Sequence, residues 1–370
     1  VNTQRKYTIL HLINSFEVGG AEKLLLEFAG RFAEDNVTLI LCYLKGPGTL
    51  LQDRTIPWKV FDLSSNGRFS PIAIWRLVKI IRREKVNMIH VHDAQSGLIA
   101  RILRKWGAVH CIVATRHMPV LKGNYPLLYR REDEALSKYS FVIANSCSVR
   151  NYLLQHRLVN EDRCRVVYNG IDIDRFTNGS RKQERSSIVI GTVARLHYYK
   201  GIDILIEAFK TLNELIPDAE LHIIGDGPER PMLEKMSERL MLNDRITFHG
   251  SVKKTEDIVT FLSNLDIFVL PSRIEGFGLS LIEAMAMKVA VIGSAVDGIQ
   301  EIIDDTKTGL LFITEDASDL SKKIALLAGD PALRKRLADA GYTKTVEEYS
   351  IRKTIDSTAS IYREVLRVVP

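Results

Sequence analysis

The chain has 370 residues, 46% hydrophobic and 26% charged, with a formal net charge of +6. That length accommodates two cores of ordinary domain size, and the balance of apolar and charged residues excludes a disordered or fibrous chain. No apolar run approaches the ~18 residues that span a bilayer, and residues 1–6 are polar and lack the apolar stretch of a signal peptide.

Strands and helices are predicted to alternate. Strand-like runs open the chain at 7–13 and recur at 37–44, 88–92, 111–115, 141–144 and 165–168. Helical spacing fills most of the intervals, as over 21–32 and 72–83. A polar stretch at 178–187 interrupts the pattern. It restarts with strand candidates at 188–193, 220–224, 246–248, 267–270, 289–292 and 309–312, and the tail from 350 to 366 reads as a helix. Short Val/Ile/Leu runs separated by helices predict parallel sheets covered on both faces. Two such series predict two doubly wound α/β domains, 1–172 and 173–349. Ligands in such folds bind outside the carboxyl ends of the strands, so the strand-end loops hold the candidate site residues.

Charge is uneven between the halves. Residues 1–170 carry a net +11 and residues 171–370 a net −5. The basic side chains cluster as Arg76, Lys79, Arg82, Arg83 and Lys85, then Arg101, Arg104 and Lys105, then Arg130 and Arg131. Solvated helix faces are the ordinary use of such residues. Their number also suits an anionic lipid surface, where each contributes roughly 1 kcal/mol. Aromatic residues do not interleave with them, so nucleic acid is not an expected partner. The four cysteines form no CxxC pair, and Cys42 and Cys111 sit in strand-like runs, so free buried thiols and a cytoplasmic location are expected.

The strand-end loops carry the chemistry. After the first strand comes Gly19-Gly20-Ala21-Glu22, where paired glycines open a helix whose N-terminus suits a diphosphate. Strand 88–92 ends in His90-Val91-His92-Asp93, and the next strand ends in Arg116-His117. His90 and His92 share a strand face, but no third ligand is evident in the sequence, so a metal site is not expected there. In the second half, Arg195 and Lys200 follow strand 188–193 as R-x4-K. Gly225-Asp226-Gly227 is a tight turn without the full G-x-G-x-x-G, and Gly250-Ser251-Val252 follows the next strand. Glu275-Gly276-Phe277-Gly278-Leu279-Ser280 then leads into a helix bearing Glu283, an E-x7-E pattern that aims backbone amides and a helix N-terminus at an anion.

In order along the chain, GGAE at 19–22, NGID at 169–172, the R-x4-K pair and E-x7-E resemble the motifs of family-four retaining glycosyltransferases of the GT-B fold. The resemblance spans the whole chain. It implies two Rossmann-like domains facing each other across a cleft, an N-terminal acceptor side and a C-terminal donor side, with the helix at 350–370 packing back on the first domain. It also implies transfer of a hexose, with retention, from a nucleotide sugar such as UDP-glucose to the hydroxyl of a sugar or lipid-linked saccharide. Polysaccharide or glycolipid synthesis at the inner face of a membrane is the corresponding setting. On this resemblance Arg195, Lys200, Glu275 and His117 are catalytic. Gly19, Gly20, Gly225, Ser251, Val252, Phe277, Gly278, Leu279, Ser280 and Glu283 bind the donor, and His92 and Asp93 contact the acceptor. The D-x-D at Asp172 and Asp174 then belongs to the NGID hinge, and neither a metal nor another cofactor is expected. A GT-B epimerase and a non-catalytic nucleotide-sugar-binding protein share the same architecture.

Overall fold

A computed structural model of the chain describes residues 6–16, 20–32, 36–46, 50–51, 57–64, 70–118, 135–177 and 187–368. Gly19, Arg130 and Arg131 lie outside these residues. The chain divides into two compact units, residues 1–169 with 351–370, and residues 170–350.

The first unit is built on a parallel sheet. Its strands among the described residues are β1 (Tyr7–Ser15), β2 (Val37–Lys45), β3 (Lys59–Asp62), β4 (Met88–Val91), β5 (Cys111–Arg116), β6 (Phe141–Ala144) and β7 (Cys164–Val166). They lie in the order β3-β2-β1-β4-β5-β6-β7. Successive side chains of a strand face opposite ways, and both sets here are apolar. Leu10, Leu12, Ile89, Val91 and Ile112 pack against Leu77 and Ile81 of α2 (Pro71–Arg83) and Leu103 of α3 (Ala94–Lys105). Ile9, Met88, Cys111 and Val113 pack against Phe28 of α1 (Gly20–Arg31) and against Ile361, Tyr362 and Val365 of the helix Ile351–Val368. The alternating pattern locates each of these strands except β3. That edge strand is mostly exposed, so burial left no apolar signature in Lys59-Val60-Phe61-Asp62.

The second unit repeats the design with β8 (Val189–Val193), β9 (Glu220–Ile224), β10 (Ile246–Gly250), β11 (Ile267–Leu270), β12 (Ala290–Ser294) and β13 (Leu310–Phe312). Its parallel order is β10-β9-β8-β11-β12-β13. After β12 the chain makes a helical turn, Asp297–Gln300. The order reverses between β1 and β4 in the first sheet and between β8 and β11 in the second. Loops leaving such neighbours diverge to opposite faces and open a crevice at the carboxyl edge. Among the described residues, no helix is long and apolar enough to cross a membrane.

The helix Ile351–Val368 shares with α1 the cover of one face of the first sheet, and Ile361 is fully buried there. Ile361→Ala should lower the unfolding free energy by about 2–5 kcal/mol. Urea unfolding measures it, and an unchanged midpoint would contradict the packing.

Candidate active site

In the second unit the loops after β8 and β11 meet at the switch point. Gly201 has φ +65, and a Cβ there would lie 2.1 Å from the carbonyl oxygen of Pro271, so only glycine permits this approach of the two backbones. The contact brings Lys200 to Glu275: Nζ lies 2.6 Å from Oε2. Ser272 Oγ donates to the same carboxylate oxygen at 3.1 Å. The side chains of Lys200 and Glu275 are 17% and 10% exposed, so the pair is largely shielded yet reaches the surface.

Gly278, at φ +100, turns the chain into the helix Leu279–Ala286. The N-cap of that helix, Gly278, makes no side-chain cap hydrogen bond, and a helix N-terminus of this kind suits an anion. The Phe277 ring is buried edge-on against Tyr349, centroids 5.5 Å apart. Leu279, Ser280 and Glu283 lie on the same short helix, half-buried. Arg195 is exposed just beyond β8. Gly225 follows β9 and its amide donates to the Gly250 carbonyl at 2.9 Å. Ser251 and Val252 follow β10, the first exposed and the second half-buried. All these residues lie at the carboxyl edge of one sheet. Asp172 of the D-x-D is buried and pairs with Arg175 at 3.2 Å.

The sequence reading passed over Arg273. Its guanidinium donates to both carboxylate oxygens of Asp203 at 2.7 Å, to Glu315 at 2.7 Å and to the Tyr198 carbonyl at 2.8 Å. Its own amide donates to the Tyr199 carbonyl at 2.8 Å. Arg273 therefore clamps the segment carrying Lys200 onto the segment carrying Glu275. Its position two residues before Glu275 was the available signal, but its partners lie about 70 and 40 residues away in the chain, at separations of 70 and 42.

In the first unit, the period-two alternation places His11, His90, His92, Thr115 and His117 on the sheet face under α1 and the helix Ile351–Val368. They line a cavity of about 40 Å³ together with Phe28 and Tyr362. His11, from β1, supplies the third imidazole that the sequence reading of His90 and His92 lacked: ligand nitrogens of all three lie within 4.8 Å of one another. The absence of a third ligand is thus corrected. His11 Nδ1 and His92 Nε2 face each other at 3.0 Å with ring planes 14° apart, within hydrogen-bond distance. Burial, then the neighbouring histidines, holds His11, His90 and His92 well below the ordinary imidazole range, so all three are neutral. Burial followed by Arg116 pushes His117 down to about 4.

Asp93 has a structural task. Its carboxylate caps α3 by accepting from the Ser96 amide at 3.0 Å, and it also accepts from Ser96 Oγ at 2.7 Å and the Asn14 amide at 2.6 Å. It thereby ties the β1 end to the β4 end across the switch point. His117 Nε2 is buried and has no hydrogen-bond partner among the described residues. Gly20 stands exposed at the start of α1.

Arg273→Lys keeps the charge but loses the planar fork that serves Asp203, Glu315 and Tyr198 together. It should cost about 1–3 kcal/mol in urea unfolding and speed hydrogen exchange of the amides at 199–201 and 273–275. Unchanged exchange in both segments would show that the clamp does not hold them.

Two family models match the chain in succession: Glycosyltransferase Family 4 over residues 18–175, and Glycosyl transferases group 1 over residues 172–344. Among curated relatives, the alpha-D-kanosaminyltransferase of Streptomyces kanamyceticus is 27% identical over 84% of this chain and 88% of its own. The UDP-Gal:alpha-D-GlcNAc-diphosphoundecaprenol alpha-1,3-galactosyltransferase of Escherichia coli is 26% identical over 78% of each. Among solved structures, Anabaena Alr3699/HepE in complex with UDP-glucose superposes with a TM-score of 0.83 at 22% identity, covering 96% of this chain and 99% of that one. With two parallel-sheet Rossmann-like units and these matches along its length, the chain belongs to the family-four, group 1 glycosyltransferases of the GT-B fold.

Proposed function

We infer that this glycosyltransferase moves a hexose from a UDP-sugar, UDP-glucose or a close relative, to an acceptor hydroxyl with retention at the anomeric carbon. The observation that carries the reading is the Lys200–Glu275 pair beside the uncapped helix start at Gly278. A diphosphate at that helix end meets backbone amides, and Lys200 and Arg195 neutralise the charge that grows as the bond from sugar to phosphate breaks. Glu275 orients Lys200 and contacts the sugar. Glu283 accepts from the ribose hydroxyls, and the loop at Ser251 and Val252 meets the base, with Gly225 shaping the turn beside it. The amides from Phe277 to Ser280 hold the sugar and distal phosphate. The leaving phosphate oxygen takes the proton of the acceptor hydroxyl as attack occurs on the same face. On the first unit, the resemblance assigns Gly19, Gly20 and His117 to the donor sugar nucleotide and His92 and Asp93 to the acceptor. UDP-glucose in the Anabaena structure supports the donor class.

With two cations and a helix dipole supplying positive charge, transfer needs no divalent ion. Lys200→Ala should lower turnover by a factor of about 10² or more, measured as UDP release from UDP-glucose with a panel of acceptors. Wild-type turnover in that variant would refute the role of Lys200. In the same assay the wild-type rate should survive EDTA, and its loss with rescue by Mg²⁺ would refute metal independence.

A lipid-linked acceptor is the favoured class. The Escherichia coli relative acts on a diphosphoundecaprenol-linked sugar, by its name. In the first unit Arg76, Lys79, Arg82 and Arg83 on α2, and Arg104 and Lys105 on α3, are exposed. Ile72 and Trp75 on α2 and Trp106 beyond α3 are 62%, 57% and 64% exposed beside them, a mixture suited to an anionic interface. Vesicles containing anionic lipid should sediment the protein at low salt and release it at high salt, since screening acts over ~8–10 Å near physiological ionic strength. Neutralising Arg82, Arg83, Arg104 and Lys105 should weaken binding. Equal binding to neutral and anionic vesicles, or none to either, would favour a soluble acceptor.

A further inference from the structure

The buried histidines of the first unit are joined end to end. Thr115 Oγ lies 2.7 Å from His90 Nε2, and His90 Nδ1 lies 2.5 Å from Tyr362 Oη. Tyr362 Oη is 3.3 Å from His11 Nε2, and His11 Nδ1 is 3.0 Å from His92 Nε2. Each histidine uses a different nitrogen toward each neighbour. His11 and His90 are almost wholly enclosed, 1% and 2% exposed, and Tyr362 is 1% exposed. Buried hydrogen-bonding groups of this kind are costly to leave unpaired.

A neutral imidazole has one N–H and one lone pair, and a phenol has one proton. Tyr362 therefore donates to one histidine and accepts from the other. If it donates to His11 Nε2, His11 carries its proton on Nδ1 and donates to His92 Nε2. His92 is then protonated on Nδ1, and His90 must donate from Nδ1 to Tyr362. If Tyr362 donates to His90 Nδ1, every direction reverses and all three histidines carry the proton on Nε2. Mixed sets either place two donors or two lone pairs against each other or leave the buried Tyr362 hydroxyl proton without an acceptor in the chain.

We propose that Thr115, His90, Tyr362, His11 and His92 form one polarity-locked hydrogen-bond chain in which the three histidines share a single tautomer, making His11 and Tyr362 positioning residues for His92. The nitrogen outside the chain is His92 Nδ1, at the carboxyl end of β4, where the switch point opens and the His117 ring lies 6.3 Å away. In the Nδ1–H set that nitrogen is a donor, and in the Nε2–H set it is an acceptor. An acceptor-substrate hydroxyl that donates to His92 selects the Nε2–H set, and the choice is imposed on residues as distant as Thr115. This last consequence rests on the proposed acceptor role of His92; the shared tautomer does not.

Histidine labelled with ¹⁵N in the full chain, at about pH 7.5 where these imidazoles are neutral, reports the tautomer of each ring from its two nitrogen shifts. His11, His90 and His92 should agree, all Nδ1–H or all Nε2–H, with a coupling through the hydrogen bond between His11 Nδ1 and His92 Nε2. Tyr362→Phe keeps the packed ring but removes the hydroxyl. His11 and His92 should still match each other, while the His90 shifts move away from theirs. A mixed set in the wild type would overturn the proposal, as would unchanged shifts in a folded Tyr362→Phe protein. Uptake of one equivalent of Zn²⁺ that perturbs all three rings would overturn it in favour of a metal site. If Tyr362→Phe does not fold, the wild-type tautomers decide alone. No turnover enters the measurement, so failure of the transferase reading leaves its outcome intact.

Discussion

Lys200 and Glu275 come from strands separated by most of the second sheet's connectivity, yet their charged ends meet at 2.6 Å. A doubly wound parallel sheet makes this meeting possible because all strands end at one edge and neighbouring loops part only where the winding reverses. β8 and β11 are neighbours at that reversal. The loops leaving them are locked by a glycine contact, by Arg273 and by Ser272. Removing water from two opposite charges is costly, and close geometry with a further donor offsets that cost. The helix start at Gly278 and the Arg195 end of β8 take their places from the same two loops.

The first sheet solves a different problem at its own reversal between β1 and β4. There, Asp93 ties the two strand ends through the Asn14 amide while capping α3. Beneath it the sheet face carries imidazoles and hydroxyls where its neighbours carry Ile, Met and Val. The imidazoles of His11, His90 and His92 are tolerated there because each finds a partner within the cluster, through Tyr362 of the last helix, Thr115 of β5 and one another. Part of the cover of that face comes from the end of the chain, so the environment of His11 and His90 is completed by a residue far along the sequence, at separations of 272 and 351.

The two halves of the sequence also differ in charge, +11 over the first 170 residues and −5 over the rest. In the first unit the exposed basic residues of α2 and α3 share their helices' outer surfaces with Ile72 and Trp75, while Leu77, Ile81 and Leu103 hold the inner faces to the sheet. The same amphipathic spacing therefore serves the core and leaves a mixed basic and aromatic surface. The inner faces account for the periodicity, and the exposed tryptophans lie outside it.

The alternation of apolar runs, visible in the sequence by itself, determined the parallel α/β class, most of the strands and the strand-end loops that hold the candidate site. Burial on both faces of a strand writes a local signature, whereas β3, an exposed edge, wrote none. The motif residues Arg195, Lys200, Glu275 and Glu283 were legible for a related reason: strand ends and helix starts are local features with fixed spacing. What joins them was not. Arg273 binds Asp203 and Glu315, His11 binds His92, and Tyr362 links His11 with His90, through contacts between residues far apart in the chain. Sequence read alone suggested that His90 and His92 had no third companion, because nothing local connects them to His11. Parallel pairing of β1 with β4 sets His11 opposite His90 in register. Strand order and register are properties of the folded sheet, and they decided which of these polar side chains became neighbours.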